Sequence, residues 1–166
     1  MWISSINRDC SRRRNRLSRH KDTKTRRHKG RGKGFTVGFE PLSEKEEAIA
    51  AKIVDAAFTV HSRLGPGLVE RIYEVCFCHE LSKRTLSFRR QVDIPVVYDG
   101  IVFDEGLRLD VLVEELVICE LKSVEKPSPV FGAQLLTYLK LVGKRLGFLI
   151  NSNVPLIKDG IKRMVL

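Results

Sequence analysis

Residues 107–122 read Leu-Arg-Leu-Asp-Val-Leu-Val-Glu-Glu-Leu-Val-Ile-Cys-Glu-Leu-Lys. Two apolar runs flank a short acidic turn, so the stretch predicts two adjacent strands, Leu107–Val113 and Leu116–Lys122. Both are apolar enough to be covered on two faces. Asp110, Glu120 and Lys122 interrupt that pattern. Burying a lone charge is costly unless it is paired or coordinates a metal. Strand alternation puts Glu120 and Lys122 on one face. Asp110 joins them only in one register, or through a compensating bulge. A two-residue loop at Glu114-Glu115 sets Asp110 opposite Cys119, on the wrong face. A three-residue loop, Glu114 to Leu116, sets Asp110 opposite Glu120, with Cβ atoms roughly 5 Å apart. Carboxylates that close repel unless a cation lies between them or one stays protonated. A hard divalent ion such as Mg²⁺ suits the gap, taking oxygen ligands at roughly 2.1 Å. The alternative is a structural ion pair with Lys122, and the hairpin alone favours it.

The elements around this hairpin indicate a mixed α/β sandwich. Ser43 and Glu46 form a capping box opening a helix over 43–63, with Ile49, Ile53, Ala56, Val60 and Leu64 at helical spacing. Gly65-Pro66-Gly67 breaks it. A second helix over 68–84 places Leu68, Ile72, Val75 and Cys76 on one side, with Tyr73, Phe77 and Leu81 nearby. Phe88–Tyr98 reads as a strand in which Pro95 marks an edge or an irregularity. Asp99-Gly100 is a hairpin turn. The run Lys126-Pro127-Ser128-Pro129 is non-helical and leads into a third helix over 130–143. Leu146–Asn151 is the next strand, and 153–166 adds a small hairpin or a last strand.

Length and composition suit one folded domain. The net charge of +10 is uneven. Residues 1–39 carry thirteen Lys and Arg against Asp9 and Asp22, a balance of +11; residues 40–166 carry seventeen basic and eighteen acidic residues, a balance of −1. The basic segment has no hydrophobic periodicity and is expected to be disordered. It is open to three readings: a phosphate-binding tail, a transit-like segment, or an extension with no function of its own. Cys10, Cys76, Cys78 and Cys119 form no CxxC pair, which points to free thiols in a reducing cytoplasm. No apolar run approaches the roughly 20 residues of a membrane span.

The charged hairpin also resembles a known signature. An Asp on one strand followed by Glu-x-Lys on the next is the pattern of the PD-(D/E)XK nuclease superfamily, here Asp110 and Glu120-Leu121-Lys122. Gly67-Leu68-Val69-Glu70-Arg71-Ile72-Tyr73 reads GxxExxY, which names a family within that superfamily. Gln134-Leu135-Leu136-Thr137-Tyr138 reads QxxxY, as in RecB-like nucleases. The closing segments Leu149–Asn151 and Lys158–Arg163 resemble the same family. The likeness spans about residues 44–166.

The resemblance implies a restriction-endonuclease-like core, with helices flanking a four-stranded mixed sheet. It implies a Mg²⁺-dependent deoxyribonuclease, with Mn²⁺ able to substitute and nucleic acid, DNA first, as partner. Asp110, Glu120 and Glu70 would hold the metal, with the Leu121 carbonyl as a further ligand. Lys122 would orient or activate the attacking water. Gln134 and Tyr138 would support the lysine or contact phosphate, and Tyr73 would bind substrate or support the site. A non-cleaving nucleic-acid- or protein-binding module on the same fold is the alternative. Each residue also has a plainer role open to it. Glu70 suits a helix start by charge, Tyr73 and Tyr138 suit a core, and Gln134 suits a solvated helix face. Arg108, two residues from Asp110 on its face, can contact the site or pair with a carboxylate. His61 and His79 match no metal-ligand spacing.

Overall fold

A computed structural model describes residues 40–166. The basic segment 1–39 and Cys10 lie outside the described residues. Helix α1 spans Glu44–Leu64. Its capping box forms as expected: Ser43 Oγ accepts the Glu46 N–H at 3.2 Å, and Glu46 Oε2 accepts the Ser43 N–H at 2.8 Å. Gly65, at φ +67°, ends the helix. Ile49, Ile53, Ala56 and Val60 are buried, but Leu64, counted with them from its spacing, is exposed at the helix end.

Helix α2 spans Glu70–Lys83. Its core face differs from the expected one. Tyr73, Phe77, Cys78 and Leu81 are buried, whereas Leu68, Ile72 and Val75 are exposed. Both stripes recur at helical spacing, so spacing alone could not choose between them. The sheet takes the one that carries the large aromatics, which bury more apolar area.

Strands β1 (Phe88–Tyr98) and β2 (Ile101–Val113) form a long hairpin. Asp99 and Gly100 both have positive φ and join the paired residues Tyr98 and Ile101, the two-residue turn that matches strand twist. β2 runs unbroken through the stretch 104–106 that separated two predicted runs. Pro95 meets both its readings: β1 is an edge strand, and the register shifts between Ile94 and Val96. Gly106 lies against this bulge, where an added Cβ would fall 1.8 Å from the Ile94 carbonyl oxygen. Gly106→Ala is therefore expected to destabilise the hairpin by about 1–3 kcal/mol, measurable as a lower urea midpoint at unchanged slope.

Strand β3 (Val117–Lys122) pairs antiparallel with β2 and parallel with β4 (Leu146–Asn151). Helix α3 (Pro129–Val142) makes the crossover between them. Pro129, read as outside the helix, is its first residue, where a missing N–H costs nothing; Ser128 Oγ caps it by accepting from Val130 N. A single turn of helix, α4 (Ile157–Gly160), precedes β5 (Ile161–Val165), which pairs antiparallel with β4. Among the described residues the sheet is mixed and five-stranded, in the order β1-β2-β3-β4-β5. The expected four strands are thus corrected to five, because the C-terminal segment closes the second edge. Helices α1 and α2 cover one face, around Ile53, Phe77 and Phe148. Helix α3 covers the other, around Leu112, Ile118 and Leu135. No described helix is long and apolar enough to cross a membrane. Cys76, Cys78 and Cys119 are free thiols.

Candidate active site

The β2–β3 turn is the three-residue one. Val113 pairs with Val117, Leu112 with Ile118 and Val111 with Cys119; the next pair in that register is Asp110 and Glu120. Glu114 and Glu115 make the turn with φ of +52° and +54°. Each is tied down, Glu114 by Ser87 N–H and Oγ–H, and Glu115 by Arg89 at 2.6 Å. The regular ladder stops just before the acidic pair. There the Leu121 N–H donates to Asp110 Oδ2 at 2.9 Å, so a carboxylate takes the place of a backbone acceptor. The strands part at the point where the charges converge.

Lys122 is the centre of that convergence. Its Nζ lies 3.6 Å from Asp110 Oδ2, 3.6 Å from Glu120 Oε2 and 3.9 Å from Glu70 Oε1. It donates to the Leu121 carbonyl at 2.8 Å. Side-chain exposure rises across the group, from 4% at Glu120 through 15% at Lys122 and 17% at Asp110 to 43% at Glu70. The cleft therefore opens to solvent past the first residue of α2. Glu70 is brought there by the loop before it. Ser123 Oγ donates to the Leu68 carbonyl at 2.5 Å, which joins that loop to the end of β3.

Tyr73 works on the same loop. Its hydroxyl donates to the Gly65 carbonyl at 2.6 Å and accepts the Leu68 N–H at 3.1 Å. With 1% exposure it has no surface for a substrate; it supports the loop that carries Glu70. Gln134 and Tyr138 share a face of α3 and hydrogen-bond to each other. Tyr138 is buried in the α3-side core, and among the described residues neither side chain hydrogen-bonds to the Lys122 cluster. The α3 residue that reaches the lysine is Phe131, whose ring centroid is 5.9 Å from Nζ, within cation–π range. Phe131 was legible only as a core position. Its place three residues before Gln134, on the same face, was the available signal. Asn151 was also missed: buried at the end of β4, level with Lys122, it holds Val124 N–H and carbonyl at 3.0 and 2.8 Å. It fixes the chain just after the lysine. Arg108 pairs with Asp93 at 2.8 Å. His61 is buried with Nε2 donating to the Val154 carbonyl, and His79 is exposed.

The charges of the group are mutually tuned. Burial pushes the Glu120 carboxyl up to about 8, and the neighbouring Asp110 charge adds to the rise while Lys122 opposes it. Burial also raises Glu70, against the pull of Lys122. For Lys122 burial acts downward, but Asp110, Glu120 and Glu70 together outweigh it and raise the ammonium. Lys122 is thus a firmly held cation rather than a neutral base.

Glu120 Oε1 is buried and has no hydrogen-bond partner. An orphaned carboxylate oxygen is expensive, and a cation at that oxygen would satisfy it. Among the described residues no group of three or more His, Cys, Asp or Glu side chains is placed to hold a metal by itself. The donor set on offer is two carboxylates with a backbone carbonyl beside them, the incomplete shell that Mg²⁺ commonly fills with water and phosphate.

A family model described as the PD-(D/E)XK nuclease superfamily matches residues 47–164. The chain belongs to this superfamily. Asp110, Glu120 and Lys122 all fall within the matched span, and membership points to nucleic acid as the class of substrate. No curated protein and no solved structure matches the chain.

Proposed function

We propose that this protein is a Mg²⁺-dependent deoxyribonuclease of the GxxExxY type, with Mn²⁺ able to substitute. The observation that carries the reading is the convergence of Asp110, Glu120 and Glu70 on Lys122 around a carboxylate oxygen with no partner. Asp110 and Glu120 would hold the ion, with the Leu121 carbonyl beside them and Glu70 at the open rim. A divalent ion bound there would polarise the scissile phosphate and supply a more acidic water. Lys122 steadies the negative charge that grows on the phosphate, and its raised affinity for protons suits it to electrostatic stabilisation rather than proton abstraction. Phe131 packs against its ammonium and limits where the side chain can go. Gln134 and Tyr138, bonded to each other, brace α3, the helix that carries Phe131. Tyr73 and Ser123 keep Glu70 in place.

Residues 40–166 make the nuclease-like domain in this reading, and 1–39 a separate basic extension. Free Cys76, Cys78 and Cys119 support a reducing compartment such as the cytoplasm. The domain's own balance of −1 over residues 40–166 favours a second reading, a module that holds nucleic acid or protein without cutting, since it supplies little attraction for phosphate. Incubation with single-stranded, double-stranded and branched DNA, and with RNA, in Mg²⁺ or Mn²⁺ separates the two. Cation-dependent cleavage of DNA is the expected result. Full-length substrates throughout would overturn the nuclease reading.

A further inference from the structure

Gln91 has a backbone φ of +50° inside β1, a left-handed value uncommon for a residue with a side chain. Its neighbours Arg90 and Val92 pair with Val111 and Leu109, so Gln91 stands level with Asp110. Regular alternation would point its side chain to the face that Asp110 occupies. Instead Gln91 Nε2 donates to Glu74 Oε2 at 2.9 Å, while Arg90 Nε donates to Glu74 Oε1 at 2.8 Å. Two consecutive β1 residues thus hold both oxygens of one buried carboxylate on α2. Glu74 lies one helical turn after Glu70, on the same face of the helix. The other buried acid of α2, Glu80, is held by Arg63, Lys83 and Arg84. Those partners come from α1 and the end of α2, so that cluster knits the helices to each other and touches no strand.

We propose that the Glu74–Arg90–Gln91 clamp is a positioning device for the cleavage site. It sets how α2 delivers Glu70 to the place where β2 and β3 part at Asp110 and Glu120, and it keeps a β1 side chain out of the space beside Asp110. Backbone held away from its ordinary region persists only where the surroundings over-determine it, and such residues gather at active sites. Here the surroundings are a buried carboxylate that takes a hydrogen bond from each of two neighbouring strand residues. The inference rests on the reading of the site as a phosphodiesterase centre.

The variant Gln91→Gly tests it. Glycine accepts positive φ freely, so the substitution relieves the backbone while removing the tether. A purely structural tether would show as a fall in melting temperature and nothing else. The expected result is little change in melting temperature, because relief of the backbone offsets the Glu74 oxygen left without its partner, with kcat on DNA at least tenfold lower, KM within about twofold, and Mn²⁺ affinity by calorimetry at least fivefold weaker. A kcat within twofold of the parent overturns the positioning role and leaves the nuclease reading intact. If the parent cuts nothing, the nuclease reading falls and the Mn²⁺ titration decides: weaker binding by the variant supports the clamp, and equal binding, or none by the parent, overturns it.

Discussion

Lys122→Ala is expected to slow DNA cleavage by about 10²–10³-fold, the usual effect of removing a group aimed at developing negative charge. The same substitution is expected to leave Mn²⁺ binding as tight as in the parent, or tighter. Lys122 Nζ sits 3.6 Å from both Asp110 and Glu120, so its positive charge competes with a cation for the same oxygens. Taking it away removes that competition while removing the stabilising charge from the phosphate. If Lys122 were only the counter-ion of a structural pair, the pattern would differ. Cleavage by the variant would then track its folded fraction, because breaking a buried pair costs about 3–5 kcal/mol by leaving charges uncompensated. Lys122→Met, which keeps the stem against Phe131, controls for packing. Single-turnover kinetics and calorimetry on the two variants, with unfolding curves beside them, check the prediction. Cleavage within threefold of the parent by a fully folded Lys122→Ala would sink the assignment.

Glu120→Gln is expected to abolish cation binding and cleavage and yet to make the cation-free protein more stable in alkali. The carboxyl of Glu120 titrates near 8 in the fold, raised chiefly by burial and then by Asp110, against 4.5 for an ordinary glutamate. A carboxyl raised in the folded state contributes most below its unfolded value and loses that contribution as pH rises through the folded one. Stability of the parent should therefore fall between about pH 4.5 and 8 and level off above. Glutamine is close in shape to the protonated acid and carries no such dependence. At about 1.4 kcal/mol per pK unit, the variant should gain on the order of a few kcal/mol at pH 9 and little at pH 4.5. Adding Mg²⁺ at a hundredfold over its Kd should return about 2.7 kcal/mol to the parent and nothing to the variant. Melting curves in EDTA across this range, repeated with Mg²⁺, decide it. A difference between parent and variant that does not change with pH would show that Glu120 carries no burial cost.

The local chemistry of the chain was readable wherever a few adjacent residues decide the outcome. Ser43 with Glu46 marked the start of α1 because a capping box needs only one turn. Asp99-Gly100 marked the hairpin because both positions need positive φ. The acidic site was narrowed to one condition, that Asp110 share the face of Glu120 through an odd turn at Glu114 or a compensating bulge, because side-chain period two leaves only two choices of face. Tyr73 shows where this stops. Its GxxExxY position suggested substrate binding or support without choosing between them, and its hydroxyl goes to Gly65 and Leu68, a contact set by how the loop folds back. On α2, Ile72 and Tyr73 begin two stripes of equal spacing, and only the position of the sheet could choose between them.

By itself the sequence determined three helices, most of the strands, their order and the identity of the converging charges, because caps, turns and alternation act over a few bonds. Tertiary structure decided the rest. It chose the three-residue turn that faces Asp110 to Glu120, set Phe131 against Lys122, left Glu120 Oε1 without a partner, and drew Gln91 away from the cleft to Glu74. Each of these depends on which groups meet across elements distant in the chain, and on how burial shifts their charges once they do.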